Sequence, residues 1–270
     1  MKVDKAARYI GGEVNSVMKD KNAVDIRFAM CFPDVYEIGM SNLGMMILYN
    51  MFNQREDVWC ERLFSPWPDL DKVMREEKIP LFALESQEPI RDFDFLGITI
   101  GYEMCYTNIL QVLDLSGIPL KSADRGEDFP IVIGGGACAY NPEPLAPFFD
   151  MFYIGEGETV YDALFDAYKA NKKAGGSRKD FLLAAAKIPG IYVPSLYEVT
   201  YKEDGTIKSF QPKYENVPEK VEGIVKCMNP KCITNHEKVR TKFTVVKDSP
   251  IVLKCHYCEK LTDQEHMEMN

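Results

Sequence analysis

Strand-like and helix-like stretches alternate along the first 173 residues. Residues 25–32 (DIRFAMCF) carry an apolar side chain at every second position, which predicts a strand. Residues 93–100 (FDFLGITI) are almost continuously apolar, as in a strand covered on both faces. Ser41 is a candidate N-cap for a helix whose apolar residues are Leu43, Met46, Ile47, Met51 and Phe52. Further strands are predicted over 58–63, 80–84, 130–133 and 151–154, and further helices over 69–77, 106–116 and 159–170. This alternation predicts an α/β fold with an open, mainly parallel, Rossmann-type sheet.

Three loops follow strands of that sheet: Pro33–Ser41, Gly134–Tyr140 and Gly155–Glu158. In such sheets ligands bind outside the carboxyl ends of the strands, and glycine lets a backbone approach a ligand closely. Glycines at these places can equally serve only to make tight turns. No G-x-G-x-x-G follows the first strand and no G-x-x-x-x-G-K-[S/T] occurs, so nicotinamide and P-loop nucleotide sites lack support.

The rest of the chain divides into a connecting region and a small module. Residues 175–178 (GGSR) predict a flexible linker, followed by a short helix over 180–187. Glu203-Asp204-Gly205 predicts a hairpin joining 191–201 to 206–211 and lying on the first domain. Residues 212–221 are expected to be extended. The predicted domains are therefore 1–173 (α/β), 174–215 (linker helix and hairpin) and 216–270 (a small β ribbon).

Four of the eight cysteines are clustered in the ribbon. Cys227 and Cys232 are separated by four residues, and Cys255 and Cys258 by two. Two such pairs on turns can supply four thiolates to one zinc ion, and so small a module gains folding free energy from a metal. Unrelated buried thiols and disulfides are the alternatives. Four thiolates close the coordination sphere, so we expect no hydrolysis there, and we expect His236 and His256 to be exposed or to lie outside the ligand set. The other cysteines (Cys31, Cys60, Cys105, Cys138) are expected to be small core residues.

Charge and hydropathy narrow the classes of partner. The chain has 41 acidic and 32 basic residues, a net charge of −9, and the negative charge precedes residue 216. This argues against general affinity for nucleic acid. No apolar run approaches the ~18 residues of a membrane span, and the N-terminus lacks the apolar stretch of a secretion signal. A cytoplasmic protein with no membrane partner is expected.

Several separated motifs occur in a recognisable order: ARYIGGEVNSV, FPDVYEIGMSNLG, ALESQEPIRDFDFLG, YNPEPLAPFFD and FYIGEGE. Together they resemble the N-terminal domain of a group of radical S-adenosylmethionine proteins, over about residues 5–215. That domain is similar to cobalamin-binding domains, which carry Asp-x-His-x-x-Gly after the first strand. The resemblance implies a cofactor pocket formed by Asp34, Tyr36, Gly39, Ser41, Gly134, Gly135, Gly136, Gly155, Glu156 and Gly157.

Tyr36 stands where that motif has the histidine that ligates cobalt. A phenol with an ordinary pKa of about 10 is a poor replacement for an imidazole lone pair. Cobalamin would therefore bind without a protein ligand, or the scaffold holds another cofactor or none. The Cys-x-x-x-Cys-x-x-Cys motif that holds the cluster of radical enzymes is also absent. We expect no radical chemistry within this chain.

The C-terminal stretches VEGIVKCMNPKCITNHEKVRTKFTVV and VLKCHYCEK resemble the zinc domain of the aspartate carbamoyltransferase regulatory chain, over about residues 217–260. The resemblance implies Cys227, Cys232, Cys255 and Cys258 as zinc ligands and a non-catalytic role in pyrimidine biosynthesis. In that family the domain docks on the catalytic chain and holds regulatory dimers to catalytic trimers. The effector-binding domain that normally precedes it has no counterpart in residues 1–215. Both families carry a similar connector near 216–223.

The leading hypothesis is a non-catalytic zinc protein whose ribbon docks on a carbamoyltransferase catalytic chain. The alternative is a piece of a radical S-adenosylmethionine protein whose cluster domain lies on another chain. A nucleic-acid-binding ribbon is a third possibility, disfavoured by charge. The ribbon's apolar residues are expected to divide between its two faces, one over the metal and one against either a partner or the hairpin at 191–211. These residues are Ile224, Val225, Phe243, Val245, Ile251 and Leu253.

Overall fold

The computed structural model describes residues 3–214, 225–237, 239–248, 251–263 and 266–269. The α-helices of these ranges are α1 (Tyr36–Gly39), α2 (Leu43–Gln54), α3 (Pro68–Glu77), α4 (Tyr106–Leu115), α5 (Tyr161–Lys173) and α6 (Arg178–Ala185), and short 3-10 turns lie between them. The strands of the first 214 residues are β1 (Ile26–Phe32), β2 (Val58–Phe64), β3 (Phe95–Thr99), β4 (Ile131–Gly135), β5 (Met151–Tyr153), β6 (Ile191–Tyr192), β7 (Tyr197–Tyr201) and β8 (Ile207–Pro212). The ribbon contains β9 (Val225–Lys226), β10 (Phe243–Asp248), β11 (Ile251–Cys255), β12 (Leu261–Asp263) and β13 (Glu268–Met269).

One six-stranded sheet organises the first part of the chain, in the order β2-β1-β3-β4-β5-β6. Strands β1 to β5 are parallel, and β6 pairs antiparallel with β5. The prediction of an α/β fold with a mainly parallel sheet is confirmed. The strand order reverses between β1 and β3, and a crevice opens at such a point outside the carboxyl ends of the strands. No helix in the described ranges is long and apolar enough to cross a membrane.

Every residue of β1 and β2 is buried, although β2 is an edge strand of the sheet. The N-terminal segment covers this edge: Trp59 Nε1 donates to Val17 O at 3.0 Å, and Lys19 Nζ donates to Val58 O at 2.6 Å. The guanidinium of Arg62, fully buried on β2, donates from Nε to Glu85 Oε1 at 2.6 Å. It also donates from Nη2 to Ser16 Oγ at 2.8 Å. A buried charge needs such partners, so the hydrogen bond from Arg62 to Ser16 fixes the N-terminal segment against the sheet.

The start of α2 differs from the prediction. The N-cap is Asn42, whose Oδ1 accepts the N–H of Met45 at 2.9 Å, whereas Ser41 Oγ donates to the carbonyl of Glu37. Ser41 is occupied in this way because the predicted loop contains the short helix α1. The buried face of α2 is Met45, Tyr49 and Phe52, and Leu43 is 72% exposed. Residues 80–84 do not form a strand but one isolated bridge, between Phe82 and Pro89.

The region after residue 173 is more integrated than the sequence suggests. The prediction of a flexible linker over 175–178 is wrong for its last two residues. Ser177 is the N-cap of α6: its side chain accepts the N–H of Asp180, and the Asp180 side chain accepts the N–H of Ser177. Arg178 donates to Asp150 Oδ2 at 2.8 Å and to the carbonyls of residues 129 and 130. Residues 191–192 belong to the main sheet as β6, so the hairpin is formed by β7 and β8 alone. The domain boundary at 173/174 stays a prediction.

The hairpin lies on the first domain through aromatic contacts. The ring of Tyr192, in β6, stands 5.4 Å from that of Tyr197 and 5.7 Å from that of Phe210, centroid to centroid. The rings of Tyr197 and Phe210 stack on each other at 4.5 Å. Tyr201 Oη donates to Glu143 Oε2 at 2.8 Å. The hairpin therefore extends the core of the α/β domain.

The ribbon is a three-stranded antiparallel sheet, β10-β11-β12, beside a two-stranded pair, β9 and β13. Phe243 faces Cys255 and Val245 faces Leu253 across β10 and β11. Because side chains alternate with a period of two, Phe243, Val245, Ile251 and Leu253 share one face with Cys255. The predicted division of these apolar residues between the two faces is therefore wrong for these four. Ile224 and the predicted connector at 216–223 lie outside the described residues.

Candidate functional site

Four cysteine side chains meet at one end of the ribbon. The Sγ atoms of Cys227, Cys232, Cys255 and Cys258 all lie within 4.8 Å of one another. Cys227 Sγ is 3.4 Å from Cys258 Sγ, and Cys232 Sγ is 3.8 Å from Cys255 Sγ. A tetrahedral zinc ion with bonds of about 2.3 Å holds its sulfurs about 3.8 Å apart. The four side chains therefore fit one tetrahedral metal ion.

Two turns bring these sulfurs together. In the first, the N–H of Cys232 donates to Asn229 O at 2.9 Å, and Asn235 Nδ2 donates to the carbonyls of Cys227 and Asn229, both at 2.8 Å. In the second, the N–H of Cys255 donates to Lys260 O at 3.0 Å. Glu259 closes this turn at a φ of 59°, in the left-handed region that a turn of this kind requires. The chain thus holds both cysteine pairs by its own hydrogen bonds.

The arrangement is a closed site. Cys227, Cys232 and Cys255 are buried and Cys258 is partly exposed. Burial opposes ionisation of Cys258, but hydrogen bonds from the Lys260 backbone and the Asn229 side chain prevail and lower the pKa of this thiol to about 6. His236 and His256 are both exposed, and His236 Nε2 lies 2.7 Å from Pro230 O. Four thiolates leave no open position for a substrate, which is typical of a structural rather than a catalytic metal.

The scattered cysteines lie in the first domain. Cys31, Cys60 and Cys105 are buried, and burial raises the pKa of each thiol. Cys138 is partly exposed, and burial again raises its pKa. Protonated thiols of this kind pack as small apolar side chains and react slowly.

A pocket of 210 Å³ opens at the carboxyl ends of β1, β3 and β4, between the sheet and helices α2 and α5. Five residues of the predicted cofactor pocket line it: Gly135, Gly136, Gly155, Glu156 and Gly157. Two of the three predicted loops therefore meet there. None of the lining residues comes from the third loop, Pro33–Ser41, although Asn42 and Gly44, just beyond it at the start of α2, do line the pocket.

The other predicted pocket residues are not among its lining residues. Asp34 accepts a hydrogen bond from the phenol of Tyr102, and Ser41 is bonded to the α1 backbone. A Cβ at Gly39 would come within 2.2 Å of the Phe64 ring, and one at Gly134 within 2.8 Å of the Phe152 ring. At these two positions glycine permits close packing in the core.

Tyr36 does not fit the role of a cobalt ligand. Its Oη donates to Glu13 Oε1 at 3.1 Å, and its ring packs edge-on against Phe64 with a centroid distance of 5.5 Å. Burial and the neighbouring Glu13 carboxylate raise the pKa of Tyr36. A protonated phenol that donates to Glu13 and lies outside the pocket lining is not placed to ligate a metal ion in the pocket.

Comparison with known proteins assigns the first domain. The family described as radical SAM proteins, N-terminal, matches residues 44–194, more than half of the chain. The chain belongs to this family. The metal-binding domain of the aspartate carbamoyltransferase regulatory chain matches residues 219–268. Both resemblances found in the sequence are confirmed, and the chain joins a radical SAM N-terminal domain to a regulatory-chain-like metal-binding domain.

The second domain is similar to regulatory chains of aspartate carbamoyltransferase from several organisms. The Pyrococcus horikoshii protein is 52% identical over 54 residues, which are 20% of this chain and 36% of that relative. The Methanocaldococcus jannaschii protein is 48% identical over 48 residues, 18% of this chain and 32% of the relative. The Phocaeicola vulgatus protein is 51% identical over 53 residues, 20% of this chain and 34% of the relative. The chain thus spans about a third of the length of these relatives.

Sequence reasoning missed several lining residues of the pocket. Gly44, Leu48 and Tyr161 come from α2 and α5, and Thr99 ends β3. Gly44 is the last residue of the motif FPDVYEIGMSNLG, but Leu48, Thr99 and Tyr161 stand in none of the quoted motifs, and none of the four carries a charge. Their approach depends on how the two helices cross the sheet, a long-range property that local patterns do not contain.

Proposed function

We propose that this chain is a zinc-dependent docking protein. Its ribbon binds one structural zinc ion through Cys227, Cys232, Cys255 and Cys258, and it attaches the α/β domain to the catalytic chain of an aspartate carbamoyltransferase. The observation that carries the proposal is the four-sulfur cluster within a segment that matches the regulatory chain's metal-binding domain. With a closed site the ribbon itself performs no catalysis.

An apolar face of the ribbon supports docking. The face that holds Cys255 continues away from the metal through Val245 and Ile251, which are 53% and 40% exposed. Val246, at the irregularity between Val245 and Lys247, is also 51% exposed. Several exposed apolar side chains close together on one small module are typical of a protein interaction site.

The hairpin is the competing cover for this face. Val245 and Ile251 share an 810 Å³ cleft with Tyr201 and Ile207 of the hairpin. All four side chains keep between 40% and 53% of their surface exposed. A cleft of this size is more in keeping with a surface available to a partner than with a face packed on its own chain.

Binding of the zinc-loaded full chain to purified catalytic chain, measured by isothermal titration calorimetry, tests the proposal. We expect saturable binding that Val245→Asp abolishes, because a charge would be buried in the interface. Leu261→Asp is the matched control: Leu261 is 55% exposed and lies on the opposite face of the same sheet. Absence of binding at tens of micromolar by a chain that retains its zinc would overturn the docking function.

A second candidate rests on the family of the first domain. Membership of the radical SAM N-terminal family favours a role beside a radical SAM catalytic domain, supplied by another chain. Metal analysis separates the two candidates. One zinc and no iron per chain supports the docking protein, whereas iron–sulfur absorption after anaerobic reconstitution supports the radical-enzyme alternative.

A further inference from the structure

Two glycines, one from the sheet and one from a helix, are among the residues that line the 210 Å³ pocket of the α/β domain. On the sheet side, Gly135 ends β4 and pairs with Thr99 of β3. On the helix side, Gly44 lies in the first turn of α2. Strand alternation places Gly135 on the face that carries Gly97 and Met30, which is the floor of the pocket.

Neither glycine is explained by the protein around it. A Cβ at Gly135 would meet only Tyr153 O, at 3.9 Å, and a Cβ at Gly44 only Asn42 Oδ1, at 3.5 Å. Neither residue has a positive φ. Glycine in a strand or a helix costs roughly 0.5–1 kcal/mol relative to alanine. Two such costs in the lining of one cavity, one on the sheet and one on α2, are explained if the space is kept for a ligand.

The remaining lining residues define the chemistry of that ligand. Phe28 and Tyr161 supply aromatic surface, and Met30 and Met45 supply thioethers, which make favourable contacts with aromatic rings. An apolar cavity of about 150 Å³ holds a benzene-sized molecule, so 210 Å³ accommodates a flat system of one or two rings.

Charge excludes a phosphate-bearing ligand. Glu156 and Glu158 line the pocket, and none of the described lining residues is Lys or Arg. An anion would therefore face two carboxylates with no positive charge to offset them. This distinguishes the pocket from the phosphate sites common at this edge of α/β sheets.

We propose that this pocket binds a flat aromatic or heteroaromatic ring system of one or two rings that carries no negative charge. The ring lies between Gly135 and Gly44, with the Met30 and Met45 thioethers against it. This site is independent of the zinc ribbon, so its success or failure leaves the docking proposal untouched.

Methyl NMR on the zinc-loaded full chain, labelled at the methionine methyl groups, tests the proposal with indole as the probe. Indole is expected to shift the Met30 and Met45 signals in a saturable way and to leave unchanged the signal of Met74, the buried methionine of α3, which does not line the pocket. Adenosine 5′-monophosphate at the same concentrations should cause no shift. Equal shifts at all three methionines, or a stronger response to the nucleotide, would overturn the proposal.

Substitutions of the pocket glycines test whether filling the pocket blocks binding without unfolding the domain. Gly135→Val and Gly44→Leu should each weaken indole binding at least tenfold, because their side chains occupy the space of the ring. Both replacements suit their elements better than glycine, so the melting temperature should hold or rise. Gly126→Leu is the matched control, since a Cβ there meets nothing within 4 Å and Gly126 does not line the pocket. Undiminished binding by both pocket variants would contradict the assignment.

Discussion

The α/β domain and the ribbon are held together by different means. In the domain, β1 and β3, the strands between which the strand order reverses, are buried along almost their whole length. The aromatic rings of Phe28, Phe95 and Phe165 pack on one another there, with centroids 5.8–6.0 Å apart. In the ribbon, the buried apolar cluster of the described residues consists of Cys227, Cys232 and Cys255, with Phe243 and Cys258 packed against it. The first domain has an ordinary hydrophobic core, whereas the second has the ligands of a metal in its place.

This difference has a physical origin in size. A module of about 50 residues buries too little apolar surface to offset its chain entropy, and metals or disulfides usually supply the balance. Apparent binding free energies of structural zinc are about 10–16 kcal/mol, enough to do so. The α/β domain is large enough to need no such support. The two regions should therefore respond in opposite ways to metal removal and to core substitutions.

The largest effect is expected from the metal. Chelation of the zinc-loaded chain, or Cys232→Ala, should abolish amide protection throughout the ribbon, because the metal supplies most of its folding free energy. The thermal transition of the α/β domain should move by less than its own experimental error. Cys31→Ala, a buried cysteine outside the cluster, is the control that should leave the ribbon intact. Retained ribbon protection after complete chelation would contradict the comparison.

The converse effect is expected from the buried ion pair of the first domain. Arg62→Met removes one partner and leaves Glu85 buried without its charge complement, which should lower the free energy of unfolding by about 3–5 kcal/mol. Metal content should stay at one ion per chain. Arg75→Met removes two surface ion pairs, with Asp71 and Asp114, in which the Arg75 side chain is half exposed, and should cost less than ~1 kcal/mol per pair. Equal losses in the two variants, measured by urea unfolding, would show that burial does not govern the energetics here.

A smaller effect tests how α2 begins. Asn42→Ala should lower the free energy of unfolding by about 1 kcal/mol, because the N–H of Met45 loses its acceptor. Ser41→Ala, its neighbour in the sequence, should change stability by a few tenths of that at most, since Ser41 does not cap the helix. The opposite order of the two effects would restore Ser41 as the cap.

The smallest effect concerns Asp57, which links β2 to α5 through Arg55 and Lys169. The Arg55 guanidinium, followed by Lys169, lowers the pKa of Asp57 well below its usual range. Its stabilisation is therefore present above the unfolded pKa of about 3.9 and is lost as the pH falls through the folded pKa. Because the Asp57 side chain is still 26% exposed, water partly screens its ion pairs, and Asp57→Asn should cost under ~1 kcal/mol at neutral pH. The wild type and the variant should converge in acid, and a difference in urea midpoint that grows with acidity would contradict this.

Features that neighbouring residues determine could be predicted from the sequence, whereas features that depend on contacts between distant residues could not. The strands β1 and β3 and the cysteine array are encoded locally, by period, burial and spacing, and the structure contains them. The cap at Asn42 was missed because two adjacent residues are equally good caps and only the turn of α1 distinguishes them. The role of Arg178 in fixing α6 depends on Asp150, which is distant in sequence. The pocket glycines Gly135 and Gly44 likewise become related only when α2 crosses the sheet.

The central claim is that one zinc ion with four sulfur ligands takes the place of a core in the ribbon. X-ray absorption at the metal edge of the purified full chain measures this most directly. The account predicts a zinc edge with four sulfur scatterers at about 2.3 Å and no nitrogen or oxygen ligand. An iron edge, or a zinc ion with fewer than four sulfurs and a nitrogen or oxygen in their place, would contradict it.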